Sequence, residues 1–300
     1  MSGRQRTEPR IVVTGAGGQV GRFLSAQVAR RGGRVRALAS GQCDITDPPA
    51  VERVVEAGDL VVNCAAYTNV DAAEGDPDAA YQVNVVGPQN LAHTCARVGA
   101  QLIHLSTDYV FSGSDRAGGT VAQPYEPDDE TGPLSVYGRT KLAGELAVHA
   151  ALPDATIVRT SWVYTGERTG ADFVADMRRR AARGESVELV DDQIGSPTYV
   201  ADLVAALLRI ARGDIREPVL HVAGDGAASR FDQARAVYAA VGADPELVRP
   251  VSAAKKPRPA ARPAYSVLGS GLWTAAGLAQ PRPWRDALRT ALAAPSMGDR

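Results

Sequence analysis

The chain has 300 residues, 45% of them apolar, and a formal net charge of −1, with a pI near 6.4. That length holds one large α/β domain, or one domain with a smaller lobe, and the near-neutral charge argues against nucleic acid as a partner. No apolar run reaches the roughly 18 residues of a membrane span. Three cysteines, Cys43, Cys64 and Cys95, form no C-x-x-C pair, which fits reduced thiols in a cytoplasmic protein.

Residues 1–9 are polar and read as a flexible tail, as do residues 296–300. The first apolar run, Ile11-Val12-Val13, ends in Thr14-Gly15, and glycines follow at 18 and 21 before an amphipathic segment, Val20 to Arg31. This predicts strand, tight turn and helix. Gly15 permits the turn, Gly18 lets the backbone approach a phosphate, and Gly21 lets the helix pack on the strand. Free N–H groups of Gln19, Val20 and their neighbours then face a pyrophosphate.

Gly32-Gly33 stops the helix, and Arg34 to Leu38 reads as the second strand. An NAD-preferring site places an acid near the end of that strand. Here the end is Leu38-Ala39-Ser40 with Arg36 inside the strand, so NADPH is favoured and NADH is possible. Asp44-Ile45 follows; Asp44 is either a cap over the adenine or a turn residue. A helix is predicted from Pro48 to Glu56 and a third strand from Asp59 to Asn63. The small residues Cys64-Ala65-Ala66 after it suit close passage of a cofactor beyond the strand C-terminus.

Asp76 to Val98 reads as one long helix. Asn84 within it is either a surface residue or, facing the sheet, a group that orders a water. Gln101 to Ser106 is the fourth strand and delivers Ser106-Thr107-Asp108-Tyr109. Ser112 to Leu134 is rich in Gly, Pro and acids and reads as a long loop of the kind that often covers an active site.

Ser135 to Ala151 is predicted helical and carries Tyr137 and Lys141 on one face, four residues apart. With nine tyrosines and only three lysines (Lys141, Lys255, Lys256), a chance Y-x-x-x-K is expected only about 0.1 times, so this one is informative. A free phenol has a pKa near 10, and a cation one turn away lowers it, so Tyr137 can give a proton to a developing alkoxide. Lys141 can also hold the ribose hydroxyls of a nicotinamide nucleotide. Thr107 is the hydroxyl expected to polarise the carbonyl, with Ser106 as the fallback.

Thr156 to Thr160 is a strand leading to Ser161-Trp162. Beyond Tyr164 the strand–helix alternation loosens. Helices are predicted at Asp172–Arg183, Val200–Ala211, Arg230–Val241 and Pro283–Ala293, and strands at Val187–Val190 and Val219–Val222. Asp191 to Tyr199 reads as a loop and Val251 to Tyr265 as irregular. His93, His104, His149 and His221 have no partners at ligand spacing and read as structural.

Together these stretches resemble the extended short-chain dehydrogenases, and among them the dTDP-4-dehydrorhamnose reductases and their relatives. The resemblance is carried by T-G-A-G-G-Q-V-G (14–21), C-A-A-Y-T-N-V-D-A-A-E (64–74), N-V-V-G-P-Q-N-L-A (84–92), S-T-D-Y-V-F-S-G (106–113), Y-G-R-T-K (137–141), R-T-S-W-V-Y (159–164), D-D-Q-I-G-S-P-T (191–198), R-P-A-Y-S-V-L (262–268) and R-P-W-R-D-A-L (282–288). It implies an α/β fold: a Rossmann-type doubly wound parallel sheet over 10–165, completed by segments within 192–222. A smaller C-terminal α/β substrate lobe would take 166–191 and 223–295.

The implied activity is NAD(P)H-dependent reduction of the C4 ketone of a dTDP-4-keto-6-deoxyhexose, in rhamnose synthesis or in a natural-product deoxysugar pathway. Catalytic roles fall on Thr107, Tyr137 and Lys141. Cofactor contacts fall on Gly18, Gln19, Val20, Asp44, Ile45, Ala65, Ala66 and Tyr67, beside Gly15 and Gly21. Substrate contacts fall on Thr68, Val70, Asp108, Tyr109, Trp162 and Arg262.

Some relatives dimerise around magnesium held partly by an acid two residues after the glycine motif. Phe23 stands there, so no metal is expected, Asp191 and Asp192 are read as loop residues, and a monomer or weak homodimer is expected. Two alternatives remain. One is a non-catalytic NADP-binding regulatory subunit of the same fold. The other is an epimerase or dehydratase; a dehydratase would want an acid pair at 108–109, where the chain has Asp108-Tyr109.

Overall fold

The computed structural model describes residues 9–113 and 123–294. Residues 1–8 and 295–300 at the two ends, and residues 114–122 of the predicted covering loop, lie outside the described residues.

Six parallel strands form the central sheet. In chain order these are β1 (Ile11–Thr14), β2 (Val35–Leu38), β3 (Leu60–Asn63), β4 (Gln101–Thr107), β5 (Thr156–Thr160) and, after a long excursion, the strand Val219–His221. Across the sheet the order is Val219–His221, β5, β4, β3, β1, β2. β1 and β3 are wholly buried four-residue apolar runs apart from Thr14 and Asn63 at their ends, as expected of strands covered on both faces. The order reverses beside β1, because β2 lies on one flank and β3 on the other. Such a switch point opens a crevice beyond the strand C-termini.

Helix α1 (Gln19–Arg30) follows β1, and α2 (Pro48–Glu52) follows β2. Between β3 and β4 the chain differs from the single helix expected over 76–98. It forms α3 (Val70–Gly75), α4 (Pro77–Tyr81), a π-helical turn (Gln82–Val86) and α5 (Gly87–Val98). Asp76 caps the start of α4 by accepting from Ala79 N, and Pro77 occupies its first position. Pro88 has no N–H to give the Asn84 carbonyl four residues back, so the i→i−4 ladder cannot continue there, and a wider turn takes its place. Helix α6 (Val136–Ala151) leads into β5, N-capped by Ser135 accepting from Gly138 N.

After β5 come β6 (Val163–Tyr164), α7 (Phe173–Ala182), β7 (Val187–Val190), β8 (Ile194–Gly195), β9 (Thr198–Tyr199), α8 (Val200–Arg212) and β10, the sixth sheet strand already described. β11 (Ala228–Ser229), α9 (Arg230–Ala240), β12 (Val248–Val251), α10 (Gly271–Ala275) and α11 (Trp284–Ala293) complete the chain. The segment expected to be a loop at 191–199 contains β8 and β9, which pair with β11 and β6. β12, unmarked in the sequence reading, pairs in parallel with β7; its exposed Arg249 and Pro250 hide the strand pattern.

Two apolar clusters sandwich the main sheet. One gathers α1, α7, α8, α9 and α11, the other α2 and α5 with the buried side of α6. Among the described residues no helix is long and apolar enough to cross a membrane.

Candidate active site

The glycine turn is shaped by contact. Gly15 has φ +67°, and a Cβ there would sit 2.5 Å from Ala65 N; at Gly21 it would sit 2.4 Å from the Gly15 carbonyl oxygen. The turn thus brings β1, the β3 end and α1 closer than any side chain allows. Gly18 N-caps α1 without a side-chain cap, and the first turn holds no acid. Its N–H groups are open to an anion.

A cleft of about 810 Å³ runs from this turn across the C-terminal ends of β3, β4 and β5. It brings together Gly15, Gly18, Gln19, Val20, Gly21, Asp44, Ile45, Ala65 and Ala66 with Thr68, Val70, Thr107, Asp108, Tyr109, Tyr137, Lys141 and Trp162. Two expected residues do not line it. The Tyr67 backbone is tied to Asn84 instead, and Arg262 is paired to Asp71, with Nη2 2.8 Å from Oδ2. At the β2 end the wall is Ala39, Ser40, Cys43 and Thr46. Arg36 points elsewhere, donating to the Val54 carbonyl. Asp44 is a turn residue, its Oδ1 accepting from Thr46 N and Oγ1, and it also faces the cleft.

Lys141 is 2% exposed. Its Nζ donates to the Leu105 carbonyl at 2.6 Å and lies 3.4 Å from His104 Nε2. Burial lowers its pKa to about 8, against the opposing pull of Glu145 one turn along. His104 Nδ1 meets Asn63 Nδ2 at 2.9 Å, and Asn63 Oδ1 accepts from Thr14 Oγ1 and Ala65 N. Burial holds His104 well below the usual imidazole range. This neutral chain of side chains props the ammonium from beneath.

The Tyr137 phenol is pushed up by burial, with the Thr107 hydroxyl acting to lower it. This corrects the expectation that Lys141 depresses the phenol. In the free chain the ammonium is engaged by Leu105 and His104, and the group easing Tyr137 downward is Thr107. Thr107 Oγ1 donates to Asp108 Oδ1 at 3.0 Å and accepts from Tyr109 N. Ser266 Oγ donates to Asp108 Oδ2 at 2.6 Å. Burial lifts the Asp108 carboxyl to about 6. Ser106, the fallback donor, is committed to Glu145, which is itself bound by Arg159 at 2.8 Å.

Trp162 is the one non-glycine residue with positive φ, 45°, among the described residues. A Cβ at Gly195 would lie 2.7 Å from its ring, so the indole rests directly on the β8 backbone. Of two further contributors, the sequence leaves Asn84 open between surface and sheet-facing roles and does not mark Arg230. Asn84, fully buried on the π turn, accepts from Tyr67 N at 2.8 Å and donates to Tyr67 O and Thr140 Oγ1. It fastens the β3 loop to α6. Arg230 lines the far end of the cleft. His221 and His149 contact backbone carbonyls. Asp192 accepts from Ser252 Oγ and Ala253 N.

A doubly wound sheet, an uncapped glycine-turn helix and a Tyr–Lys helix face opening on one cleft define an oxidoreductase of the extended short-chain dehydrogenase type. A family model described as RmlD substrate binding domain matches residues 9–297. The chain is 60% identical over 296 residues to a dTDP-4-dehydrorhamnose reductase of Mycobacterium tuberculosis, covering 99% of this chain and 95% of that one. It is 45% identical over 287 residues to a probable dTDP-4,6-dihydroxy-2-methyloxan-3-one 4-ketoreductase of Streptomyces antibioticus, covering 94% of each. A crystal structure of a dTDP-4-dehydrorhamnose reductase from Bacillus anthracis in complex with NADP superimposes with a TM-score of 0.86 at 33% identity, covering 94% of this chain and 98% of that one. The chain therefore belongs to the RmlD family of nucleotide-sugar ketone reductases.

Proposed function

We propose that the protein reduces the C4 ketone of a dTDP-4-keto-6-deoxyhexose with NADPH, the product being dTDP-rhamnose. The observation that carries this reading is the convergence of Thr107, Tyr137 and buried Lys141 on a cleft that begins at the glycine turn and ends at Trp162. The residues present fit the dinucleotide. The open N-terminus of α1 suits its diphosphate, and the Ala39-Ser40 end of β2 places no carboxylate against a 2′-phosphate. When bound, the reduced nicotinamide supplies a hydride to the ketone carbon.

Tyr137 gives its phenolic proton to the ketone oxygen. Lys141, cationic below about pH 8, would turn from the Leu105 carbonyl to the ribose hydroxyls of the bound dinucleotide, and its charge there would stabilise the phenolate left behind. Thr107 donates to the ketone oxygen once its hydroxyl leaves Asp108. Trp162 and Tyr109 hold the sugar ring, with Thr68 and Val70 on the opposite wall. Asp71 and Arg262 brace the substrate side. Intact Thr107, Tyr137 and Lys141 favour catalysis over a regulatory, non-catalytic role. The same reading carries a monomer or weak homodimer in the cytoplasm, and Phe23, two residues past Gly21, offers no metal ligand.

The test is cofactor oxidation with dTDP-4-dehydrorhamnose generated in situ. Oxidation matched mole for mole by dTDP-rhamnose is expected. Tight NADPH binding without oxidation would refute the substrate, and turnover only with another dTDP-4-keto sugar would move the enzyme to deoxysugar biosynthesis.

A further inference from the structure

One cation in the cleft has no role in the chemistry above. Arg230 is the first residue of α9, directly after the Ser229 cap. Its guanidinium lies 3.9 Å from the Trp162 ring centroid and 4.6 Å from that of Phe173. Its hydrogen bond among the described residues is to Gln233 Oε1, at 3.0 Å, and no described carboxylate lies within ion-pair distance.

The titratable groups facing it are Asp108, Tyr109 and Asp172, whose ionised forms would favour the cation, and Arg258, which opposes it; burial keeps the Tyr109 phenol protonated at neutral pH. Both acids are already occupied. Asp108 accepts from Thr107 and Ser266, and Asp172 accepts from Thr165 and Ala175. The neighbouring arginines differ: Arg262 is held by Asp71 and Arg159 by Glu145. Desolvation lowers Arg230 to about 10, so it stays charged at neutral pH. A desolvated guanidinium without a counter-ion is costly, and its planar fork matches phosphate oxygens. Contact with two aromatic rings restrains the position of that fork.

The diphosphate of the dinucleotide is not the expected ligand. It belongs at Gly18, beyond β1, whereas Trp162 and Arg230 lie beyond β5. Those strands are three places apart in the sheet, roughly 14 Å at the usual strand spacing. In a hexose, C1 lies across the ring from C4. With C4 at Tyr137, a diphosphate on C1 leaves the ring on the side away from that phenol.

We propose that Arg230 anchors the diphosphate of the nucleotide-sugar, held ready by Trp162 and Phe173. The assignment rests on the reductase reading for its substrate class. The test is calorimetric titration of dTDP, thymidine and NADPH into the full chain and its Arg230→Gln and Arg230→Lys variants. The readout is the ratio of dTDP to thymidine affinity, which general loosening of the cleft does not change.

That ratio is expected to fall by about 10- to 100-fold in Arg230→Gln, as lost charge-assisted bonds require. It should fall less in Arg230→Lys, with NADPH affinity unchanged. An unchanged ratio in both variants would overturn the assignment and leave Arg230 as packing for Trp162. If the unaltered chain itself bound dTDP no better than thymidine, the nucleotide-sugar reading would fall along with it.

Discussion

Lys141 sets a pH limit on catalysis that follows from its burial. Its ammonium has one strong acceptor, the Leu105 carbonyl, and a neutral imidazole beside it, and burial brings its pKa to about 8. Tyr137 is pushed the other way, so the phenol keeps its proton well past that point. Loss of activity on the alkaline side should therefore report the lysine. The protonated fraction falls from about 0.9 at pH 7 to about 0.1 at pH 9, so kcat/KM should drop roughly tenfold over that interval. Glu145 raises the Lys141 pKa, so Glu145→Gln should move the limb to lower pH. The assay is kcat/KM for the sugar at saturating NADPH across the range, with stability checked at each pH. A profile flat to about pH 9.5, or one breaking near 10 as an ordinary phenol or lysine would, would refute the reasoning. The sign for stability follows from the same shift. Between about 8 and 10.5 the unfolded chain binds a proton that the folded chain has released, so this group's contribution to stability increases as pH rises through that window.

Gly195→Ala would drive a Cβ into the Trp162 ring; KM for the sugar should rise about tenfold while NADPH affinity, measured by titration, stays constant. Asn84→Ala removes three hydrogen bonds of a fully buried side chain that links the Tyr67 loop to α6, and urea denaturation should show a loss of about 2–4 kcal/mol. Ser40→Asp places a carboxylate at the β2 end, and the ratio of kcat/KM for NADPH over NADH should fall at least about tenfold.

The central strands β1 and β3 were legible because a strand buried on both faces must be a short, continuous apolar run, as Ile11–Val13 and Leu60–Val62 are. The glycine turn was legible because its spacing answers to backbone approach distances. Tyr137 and Lys141 were legible because helical spacing alone puts them on one face. What stayed hidden depended on contacts between distant segments. The π turn comes from a proline denying one N–H, and the extra residue rotates Asn84 by about 100° onto the Tyr67 loop. Read as part of a continuous helix, the same asparagine had no definite direction. The engagement of Lys141 by Leu105 and His104, rather than by Tyr137, depends on how α6 seats against β4. Arg230 looked like one of many arginines, since nothing local marks it as stacked on an indole 68 residues earlier in the chain.

The most direct test of the central claim is to supply NADPH deuterated at the transferring position of the nicotinamide and examine the sugar product by NMR. The account predicts one deuterium at C4 of the dTDP-6-deoxyhexose, on a single face, and none with Tyr137→Phe although that variant still binds NADPH. Product without label at C4, or undiminished labelling by Tyr137→Phe, would contradict it.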